Sequence, residues 1–189
     1  MKRIFTSLSL IFSAFIALPA TATSLLPLSL EQLSTRADLI FYGRVISNEV
    51  KKDAQSGQIA TFTSFEVIDL IKGTADNTHT IKQIGGFDKS SNTRLMIRGV
   101  PKFITGEEYV VFLPKKSSLG FCSPLGLHQG SFPVATENDE KVISNGRRLA
   151  DQPDSINRNV QIPLAVRADK PSQSRLDDFI NTVRAYNTP

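Results

Sequence analysis

The sequence predicts a mainly β fold, a small antiparallel OB-like β-barrel with a short helix before it and an amphipathic helix packed on it at the C-terminus. Three observations predict this fold. Short runs of strand-forming residues alternate with turn residues, glycines interrupt some of these runs, and the last helical stretch is apolar on one side only. A small barrel needs bent strands, and a glycine within a strand permits such a bend.

The first predicted element is a short helix that contains Leu30 and Leu33. Ser29 is placed to cap the first free amide groups, and Gln32, three residues later, completes a capping box. Leu30 and Leu33 share one face of the helix. We therefore expect this helix to pack against the barrel.

The stretch ADLIFYGRVISNEV, residues 37–50, is apolar on both faces of an extended chain. One face carries Leu39, Phe41 and Val45, and the other carries Ile40, Tyr42 and Ile46. This pattern predicts a strand that is covered on both sides. Gly43 interrupts the first face and predicts a bulge, a sharp bend of the sheet, or the close passage of another backbone.

Turn residues divide the chain up to residue 145 into further strand candidates. The alternation of apolar residues breaks near Asp69, which predicts a second bulge. The run YVVFL is apolar throughout, as is typical of a central strand. The candidates are Gln58–Ile71, Thr78–Ile84, Arg94–Ile97, Tyr109–Leu113, Leu125–Gln129, Ser131–Ala135 and Lys141–Ser144.

The C-terminal part of the chain predicts a polar excursion followed by a helix. Residues 146–171 are rich in proline, aspartate and arginine, and we expect an irregular, exposed segment there, above all at 147–159. An apolar stripe at i, i+3, i+4 and i+7 then predicts a helix within 172–189, capped by Ser172 or Ser174. The stripe is Leu176, Phe179, Ile180 and Val183. Residues 23–145 form the predicted barrel domain.

The N-terminus, residues 1–22, has the pattern of a secretory signal peptide. Lys2 and Arg3 precede the uncharged run Ile4–Leu18, and a small-x-small motif predicts cleavage after Ala22. The run is shorter than the ~20 residues of a membrane-spanning helix. We therefore expect a periplasmic or secreted protein without a membrane anchor. Removal of residues 1–22 lowers the formal charge from +4 to +2, which argues against a nucleic-acid partner.

Four segments, taken in order, resemble the tissue-inhibitor-of-metalloproteinase (TIMP) and netrin-type domains, which are OB-like barrels. They are ADLIFYGRV, FEVIDLIKG, the GG that follows the third strand, and GVPKFITGEEYVVFL. The sequence is more similar still to a broad group of secreted bacterial proteins with this pattern and a C-terminal helix. The resemblance covers Ser29–Val134 and Leu176–Val183, and it implies an OB-like barrel.

The resemblance also implies a partner class, an extracellular protease. Inhibitors of that family coordinate the zinc of the protease through an N-terminal cysteine, and disulfides hold them rigid. Here the predicted mature chain begins at Thr23 or Ser24, and the single cysteine, Cys122, permits no intramolecular disulfide. The sequence therefore does not predict inhibition by that route.

Few residue patterns in this chain point to catalysis. Gly-x-Ser-x-Gly and His-Glu-x-x-His motifs are absent, and two histidines with one cysteine do not predict a zinc site. We therefore expect no enzymatic activity, no cofactor and no metal. One alternative stays open, a hydrolase in which His128 activates the thiol of Cys122 six residues away.

The function that this pattern favours is that of a monomeric, non-enzymatic binding module whose partner is a protein. The predicted partner-binding loop is Gly85, Gly86, Phe87, Asp88 and Lys89. A second alternative is an envelope protein that binds polysaccharide through loops near Phe87 and Phe121. A shared binding edge would require Gly85–Asn92, Thr23–Leu28 and Arg147–Asn159 to converge.

Overall fold

The computed structural model describes residues 26–146, 170 and 172–188. The predicted signal peptide and the segment 147–159 lie outside these residues. The helices are α1 (Leu30–Arg36) and α2 (Leu176–Asn187), and a 3₁₀ turn spans Leu127–Gly130. The strands are β1 (Leu39–Lys52), β2 (Ile59–Lys72), β3 (Thr78–Ile84), β4 (Gly86–Asp88), β5 (Thr93–Leu95), β6 (Glu108–Leu113), β7 (Ser131–Glu137), β8 (Glu140–Ile143) and β9 (Ser174–Arg175).

The fold is mainly β, as predicted. Seven strands form one antiparallel sheet in the order β3-β2-β1-β6-β7-β8-β9, and β4 and β5 form a separate hairpin. In the part of the chain that the structure describes, the edge strands β3 and β9 are not paired with each other. The segment that follows β6 instead meets the edge of β3, where the amide of Cys122 donates to the carbonyl of Lys82 over 2.8 Å.

Gly43 lies at an irregularity in the pairing of β1 with β2, where the backbone of β2 passes close to it, one of the alternatives that the sequence predicts. The pairing of β1 with β2 shifts register between Tyr42 and Gly43. A Cβ atom at Gly43 would lie 2.6 Å from the carbonyl oxygen of Glu66 and 3.2 Å from the ring of Phe41. Glycine is therefore required here because the neighbouring strand passes too close for any side chain.

Three residues in β1 and β2 are left out of the pairing and form bulges. On β2 they are Ile68 and Ile71, which flank Asp69 and confirm the irregularity predicted there. On β1 it is Ile46, which lies between the paired residues Val45 and Ser47. Each extra residue bends its strand and reverses the alternation of side chains beyond it.

Both faces of the sheet bury apolar side chains, which explains the double apolar pattern of residues 37–50. A helix-side cluster contains Leu30, Leu33, Ala37, Ile40, Tyr42, Val110, Phe112, Phe132, Val134, Ile143, Leu176, Phe179, Ile180 and Val183. A loop-side cluster contains Leu39, Phe41, Val45, Phe65, Ile81, Phe103, Tyr109, Val111, Leu113 and Cys122. β1 and β6 supply both clusters and are the central strands.

The two helices cover one face of the sheet. In α1 the predicted capping box is present, since Ser29 Oγ accepts from the amide of Gln32 and Gln32 Oε1 accepts from the amide of Ser29, each over 3.0 Å. In α2 the predicted apolar stripe is buried in the helix-side cluster, which confirms an amphipathic helix packed on the sheet. Neither helix, nor any other in the described residues, has the length and apolarity to cross a membrane.

Two local predictions are wrong. Leu125–Gln129 is not a strand, because Gly126 and Leu127 adopt left-handed φ values of 58° and 60° and turn the chain into the 3₁₀ turn. Neither Ser172 nor Ser174 caps α2: the N-cap is Arg175, without a side-chain hydrogen bond. The backbone of Ser174 pairs with Ile143 in the sheet, so α2 begins directly after a strand.

Candidate functional site

The candidate site is a cleft of about 360 Å³ at the end of the sheet where β1, β2 and β3 meet the β4–β5 hairpin and the segment 96–103. Its volume lies within the range of ligand-binding clefts. The strands contribute Asn48, Val50, Thr61, Thr63, Gln83 and Ile84. The hairpin and the segment contribute Gly85, Gly86, Phe87, Arg94, Leu95, Met96, Ile97, Val100, Pro101, Lys102 and Phe103.

The bulge at Ile46 determines which side chains of β1 line the cleft. Without it, odd-numbered residues would continue the face of Val45. Because Ile46 is left unpaired, the even-numbered Asn48 and Val50 line the cleft instead. Val50 then pairs with Thr61. Asn48 pairs with Thr63, and this second pair lies one row closer to the loop-side cluster. The bulge thus produces a polar layer above an apolar core.

Hydrogen bonds hold most of this polar layer in place. Thr63 Oγ1 donates to Asn48 Oδ1 over 2.7 Å, and Asn48 Nδ2 donates to the carbonyl of Phe103 over 2.9 Å. The same amide reaches Thr105 Oγ1 at 3.3 Å. Asn48 therefore ties the segment that forms one wall of the cleft to the strands that form the floor.

Gln83 is the exception in the polar layer. It follows Ile81 on the same face of β3 and pairs with Thr61 across the sheet. Its side chain is only 2% exposed, yet its buried Nε2 has no hydrogen-bond partner within the described residues. A buried amide donor without a partner is costly and uncommon in native structures. Gln83 lines the cleft, where a ligand can supply the missing acceptor.

Gly85 and Gly86 let the β4–β5 hairpin fold tightly over the strand ends. Their φ values, 97° and 137°, are accessible chiefly to glycine. A Cβ at Gly86 would lie 2.6 Å from Val50 Cγ1, and one at Gly85 would lie 2.8 Å from the carbonyl oxygen of Leu95. Thr61 Oγ1 donates to the carbonyl of Gly85 over 2.7 Å and secures this turn.

The predicted partner-binding loop divides into two parts. Gly85, Gly86 and Phe87 line the cleft, whereas Asp88 and Lys89 do not. Hydrogen bonds from the hydroxyl groups of the two serines that follow Lys89 lower the pKa of the Asp88 carboxyl, which is buried and closes the hairpin turn. Lys89 is exposed. Binding by these residues remains a prediction.

The rim of the cleft combines exposed apolar side chains with positive charge. Met96 is 68% exposed and Ile97 41% exposed, although both line the cleft. The guanidinium of Arg94 lies 5.0 Å from the centre of the Phe87 ring. Among the described ion pairs none involves Arg94 or Lys102, so both cations are available to an anionic group.

Cys122 and His128, the alternative catalytic pair, have different environments. Cys122 is 3% exposed in the loop-side cluster, and its Sγ donates to the carbonyl of Pro114 over 3.3 Å. Burial raises the pKa of this thiol, which favours the unreactive protonated form. His128 is exposed in the 3₁₀ turn. This arrangement does not activate the thiol.

Phe121, named with Phe87 for polysaccharide binding, belongs to a structural cluster. The ammonium of Lys82 lies 4.5 Å from the centre of the Phe121 ring and 2.9 Å from Asp53 Oδ1. Hydrogen bonds from Ser56 and Lys82 hold the pKa of Asp53 at about 2. The cluster fastens the β1–β2 turn to β3, and the ammonium of Lys82 covers one face of the Phe121 ring.

A second carboxylate, Glu108 on β6, is surrounded by donors. Arg44 and Lys141 each donate to it over 2.7 Å, and the hydroxyl of Tyr42 also donates to it. Burial acts to raise the pKa of Glu108, but these hydrogen bonds outweigh it and hold the pKa at about 2. All three side chains donate to the same carboxylate, so this network links β1, β6 and β8.

Leu26 and Leu28, in the segment before α1, are hydrogen-bonded to Gln129 and lie outside the cleft. Gln129 accepts a hydrogen bond from the amide of Leu28 over 2.7 Å and donates to the carbonyl of Leu26 over 3.1 Å. Neither Leu26 nor Leu28 lines the cleft. Of the three segments expected to converge, Gly85–Asn92 contributes to the cleft. The described part of Thr23–Leu28, residues 26–28, does not, and Arg147–Asn159 lies outside the described residues.

Sequence reasoning missed the residues that give the cleft its polar character. Asn48 and Gln83 lie within strands, and simple alternation places Asn48 on the opposite face. Arg94 and Lys102 look like ordinary surface cations. The only available signal was the pair Gly85-Gly86, which marks a close backbone approach. Within the described residues no group of three His, Cys, Asp or Glu side chains is arranged to hold a metal ion.

Comparison with protein-family models finds no family that matches this chain, and comparison with curated proteins finds no matching relative.

Proposed function

We propose that this protein is an exported, non-enzymatic binding module that takes part of a protein partner into the cleft, with an extracellular protease as the candidate partner class. The observation that carries this proposal is the cleft itself, whose apolar rim is exposed while a buried amide inside it lacks a partner among the described residues. Exposed apolar side chains around a concave site are characteristic of interaction surfaces.

The proposal includes an OB-like closure of the barrel. The contact between Cys122 and Lys82 supports it, because the segment after β6 covers the edge of β3. OB-type barrels bind ligands with loops and strand faces at one side of the barrel. The cleft occupies a comparable position, between strand ends and a hairpin.

The rim of the cleft is where a protein partner would gain most contact. Met96 and Ile97 are exposed, and Phe87 stands beside Arg94. Aromatic, methionine and arginine side chains are enriched at protein interfaces. The buried thiol of Cys122 favours this binding function over the alternative hydrolase.

The test is a pull-down with two matched variants. The chain is expressed from its full-length sequence with a C-terminal tag, and the exported protein is mixed with periplasmic and culture fractions. Ile97→Asp places a charge on the rim of the cleft. Ile68→Asp makes the same change at a residue of similar exposure, 45%, that does not line the cleft. Captured proteins are identified by mass spectrometry.

We expect one specific partner that Ile97→Asp loses and Ile68→Asp keeps, with both variants folded as judged by circular dichroism. Binding is then repeated with the purified partner. A partner that survives Ile97→Asp would place the interface elsewhere. Failure to capture any partner under several salt and pH conditions would reject the proposal.

A further inference from the structure

The charge and hydrogen-bonding pattern of the cleft identifies the kind of segment that fits it. We propose that the cleft binds an extended peptide segment in which a carboxylate stands beside an apolar side chain. This inference rests on the proposed function and specifies the chemistry that the partner must present.

The first argument is the unpartnered amide of Gln83. Its Nε2 is buried in the lining of the cleft and has no acceptor within the described residues. The hydroxyl groups of Thr61 and Thr63 donate to Gly85 and Asn48, and neither accepts from Gln83. An acceptor on a ligand in the cleft would supply the missing partner. An extended peptide carries one carbonyl acceptor for each residue, so a peptide backbone satisfies Gln83 without a special side chain.

The second argument is the charge on the rim. Arg94 and Lys102 both line the cleft, and neither forms an ion pair in the described residues. Asp88, the nearest acidic residue in the hairpin sequence, is buried and accepts hydrogen bonds from Ser90 and Ser91. Complementary charge selects the partner and speeds its approach, so we expect an acidic residue in the segment.

The third argument is the apolar lining. Val50, Leu95, Val100 and Phe103 supply apolar lining to the cleft. One apolar side chain of the peptide would cover them. The cleft opens to solvent past Met96 and Ile97, which are exposed on its rim. A fatty acid needs an enclosed channel to remove its chain from water, whereas a peptide does not.

The test uses an array of random decapeptides, with the full-length, exported protein as the probe. The strongest binder is then resynthesised with each acidic residue replaced by its amide, and fluorescence anisotropy measures the affinity of both versions. Dodecanoate is measured in parallel as the lipid-like ligand. We expect acidic residues next to apolar ones to be enriched, and the amide version to bind roughly fivefold more weakly.

Two sets of variants assign this preference to the cleft. Arg94→Gln with Lys102→Gln is expected to abolish the difference between the acidic and amide peptides. Arg36→Gln with Lys115→Gln makes the same change of charge at exposed residues outside the cleft, and it is expected to preserve the difference. If both sets of variants lost the difference between the acidic and amide peptides equally, only the net charge of the protein would matter, and the inference would be overturned.

Gln83→Leu separates a binding role from a structural one. Because the native amide is buried without a partner in the described residues, its replacement by an apolar side chain is expected to leave stability to urea equal or higher. The same change is expected to weaken binding of both peptide versions about tenfold, since the acceptor of the ligand would lose its donor. Unchanged binding by Gln83→Leu would overturn the inference.

The outcomes also separate this inference from the proposed function. If the pull-down finds a partner that depends on Ile97 but the array shows no acidic preference, the proposed function stands and the inference fails. If acidic peptides bind while no protein partner is captured, the ligand class stands and the proposed protein partner fails. Binding of dodecanoate without any peptide binding would reject the peptide as ligand.

Discussion

Gly43 shows how a single residue type can be dictated by the backbone of a neighbouring strand. The space above its Cα is filled by the carbonyl of Glu66 and the ring of Phe41. Glu66 lies on β2, which is paired on both sides, so its backbone cannot move aside as a flexible side chain can. A methyl group at this position therefore forces β1 and β2 apart. The two strands are paired over most of their length, so this separation disturbs their hydrogen bonds.

We expect Gly43→Ala to lower the free energy of unfolding by about 2–3 kcal/mol, the upper end of the range for an overpacked interior, because the added methyl group would meet backbone. Gly106→Ala is the control. Gly106 has a left-handed φ of 91°, but no atom lies within 4 Å of the position that an added methyl group would occupy, so only the backbone penalty of about 1 kcal/mol applies. Urea unfolding followed by circular dichroism measures both. An equal loss in the two variants would show that close approach at Gly43 is unimportant.

The elements differ in how far the sequence predicts them. The double apolar pattern around Phe41 predicts a strand covered on both faces, and the two clusters confirm this. The stripe that includes Phe179 predicts α2 and its buried side. These predictions succeed because burial repeats with the period of the element itself.

The cleft is predictable only in part, because its composition depends on irregularities. The bulge at Ile46 brings Asn48 and Val50 to the cleft, and no periodic pattern places a bulge at one particular residue. Gln83 resembles any polar strand residue until its missing hydrogen bond is seen. Lys102 joins the site through a segment without regular structure. The sequence does predict the tight turn before the β4–β5 hairpin, because the pair Gly85-Gly86 is typical of a close backbone approach.

The C-terminal helix offers a direct test of packing at the level of an element. Phe179 is fully buried, with its ring centre 4.8 Å from that of Phe132 and 6.3 Å from that of Phe112. Phe179→Ala removes this contact and leaves a cavity, so we expect a loss of about 3–5 kcal/mol in the free energy of unfolding. Asn181 lies on the exposed side of α2, so the control Asn181→Ala should cost little.

Hydrogen exchange of the helix amides completes that test. If α2 docks on the sheet as one unit, Phe179→Ala should raise exchange along Leu176–Asn187 and in β8, which the helix contacts. Fast exchange of α2 in the unmodified protein would contradict a docked helix. Unfolding curves alone would not separate loss of docking from loss of the whole fold.

At the scale of the whole molecule, buried ionisable groups link stability to pH. Hydrogen bonds hold the pKa values of Asp53 and Glu108 at about 2, below their ordinary values of 3.8 and 4.5. The unfolded chain takes up protons on both groups at a higher pH than the folded protein does. Their contribution to stability is therefore complete above pH 4.5 and is lost as the pH falls towards 2.

His79 adds an earlier step to this acid dependence. Burial lowers its pKa below the ordinary value of 6.5, the nearby Lys116 lowers it further, and Asp76 opposes both. Its ring lies 5.7 Å from that of Phe41, and its buried Nε2 has no hydrogen-bond partner in the described residues. Below pH 6.5 the unfolded chain gains a proton on His79 before the folded protein does, so stability must fall.

We expect the free energy of unfolding to decline in two steps, the first as the pH falls below 6.5 because of His79 and the second below pH 4.5 because of the two carboxylates. Urea midpoints at half-unit intervals between about pH 7.5 and pH 3 measure both steps. His79→Leu should remove the first step and keep the second, because a neutral apolar side chain beside Phe41 does not titrate. His128→Gln, at the exposed histidine of the 3₁₀ turn, should leave both steps in place. A first step that persists in His79→Leu would show that another group carries the proton.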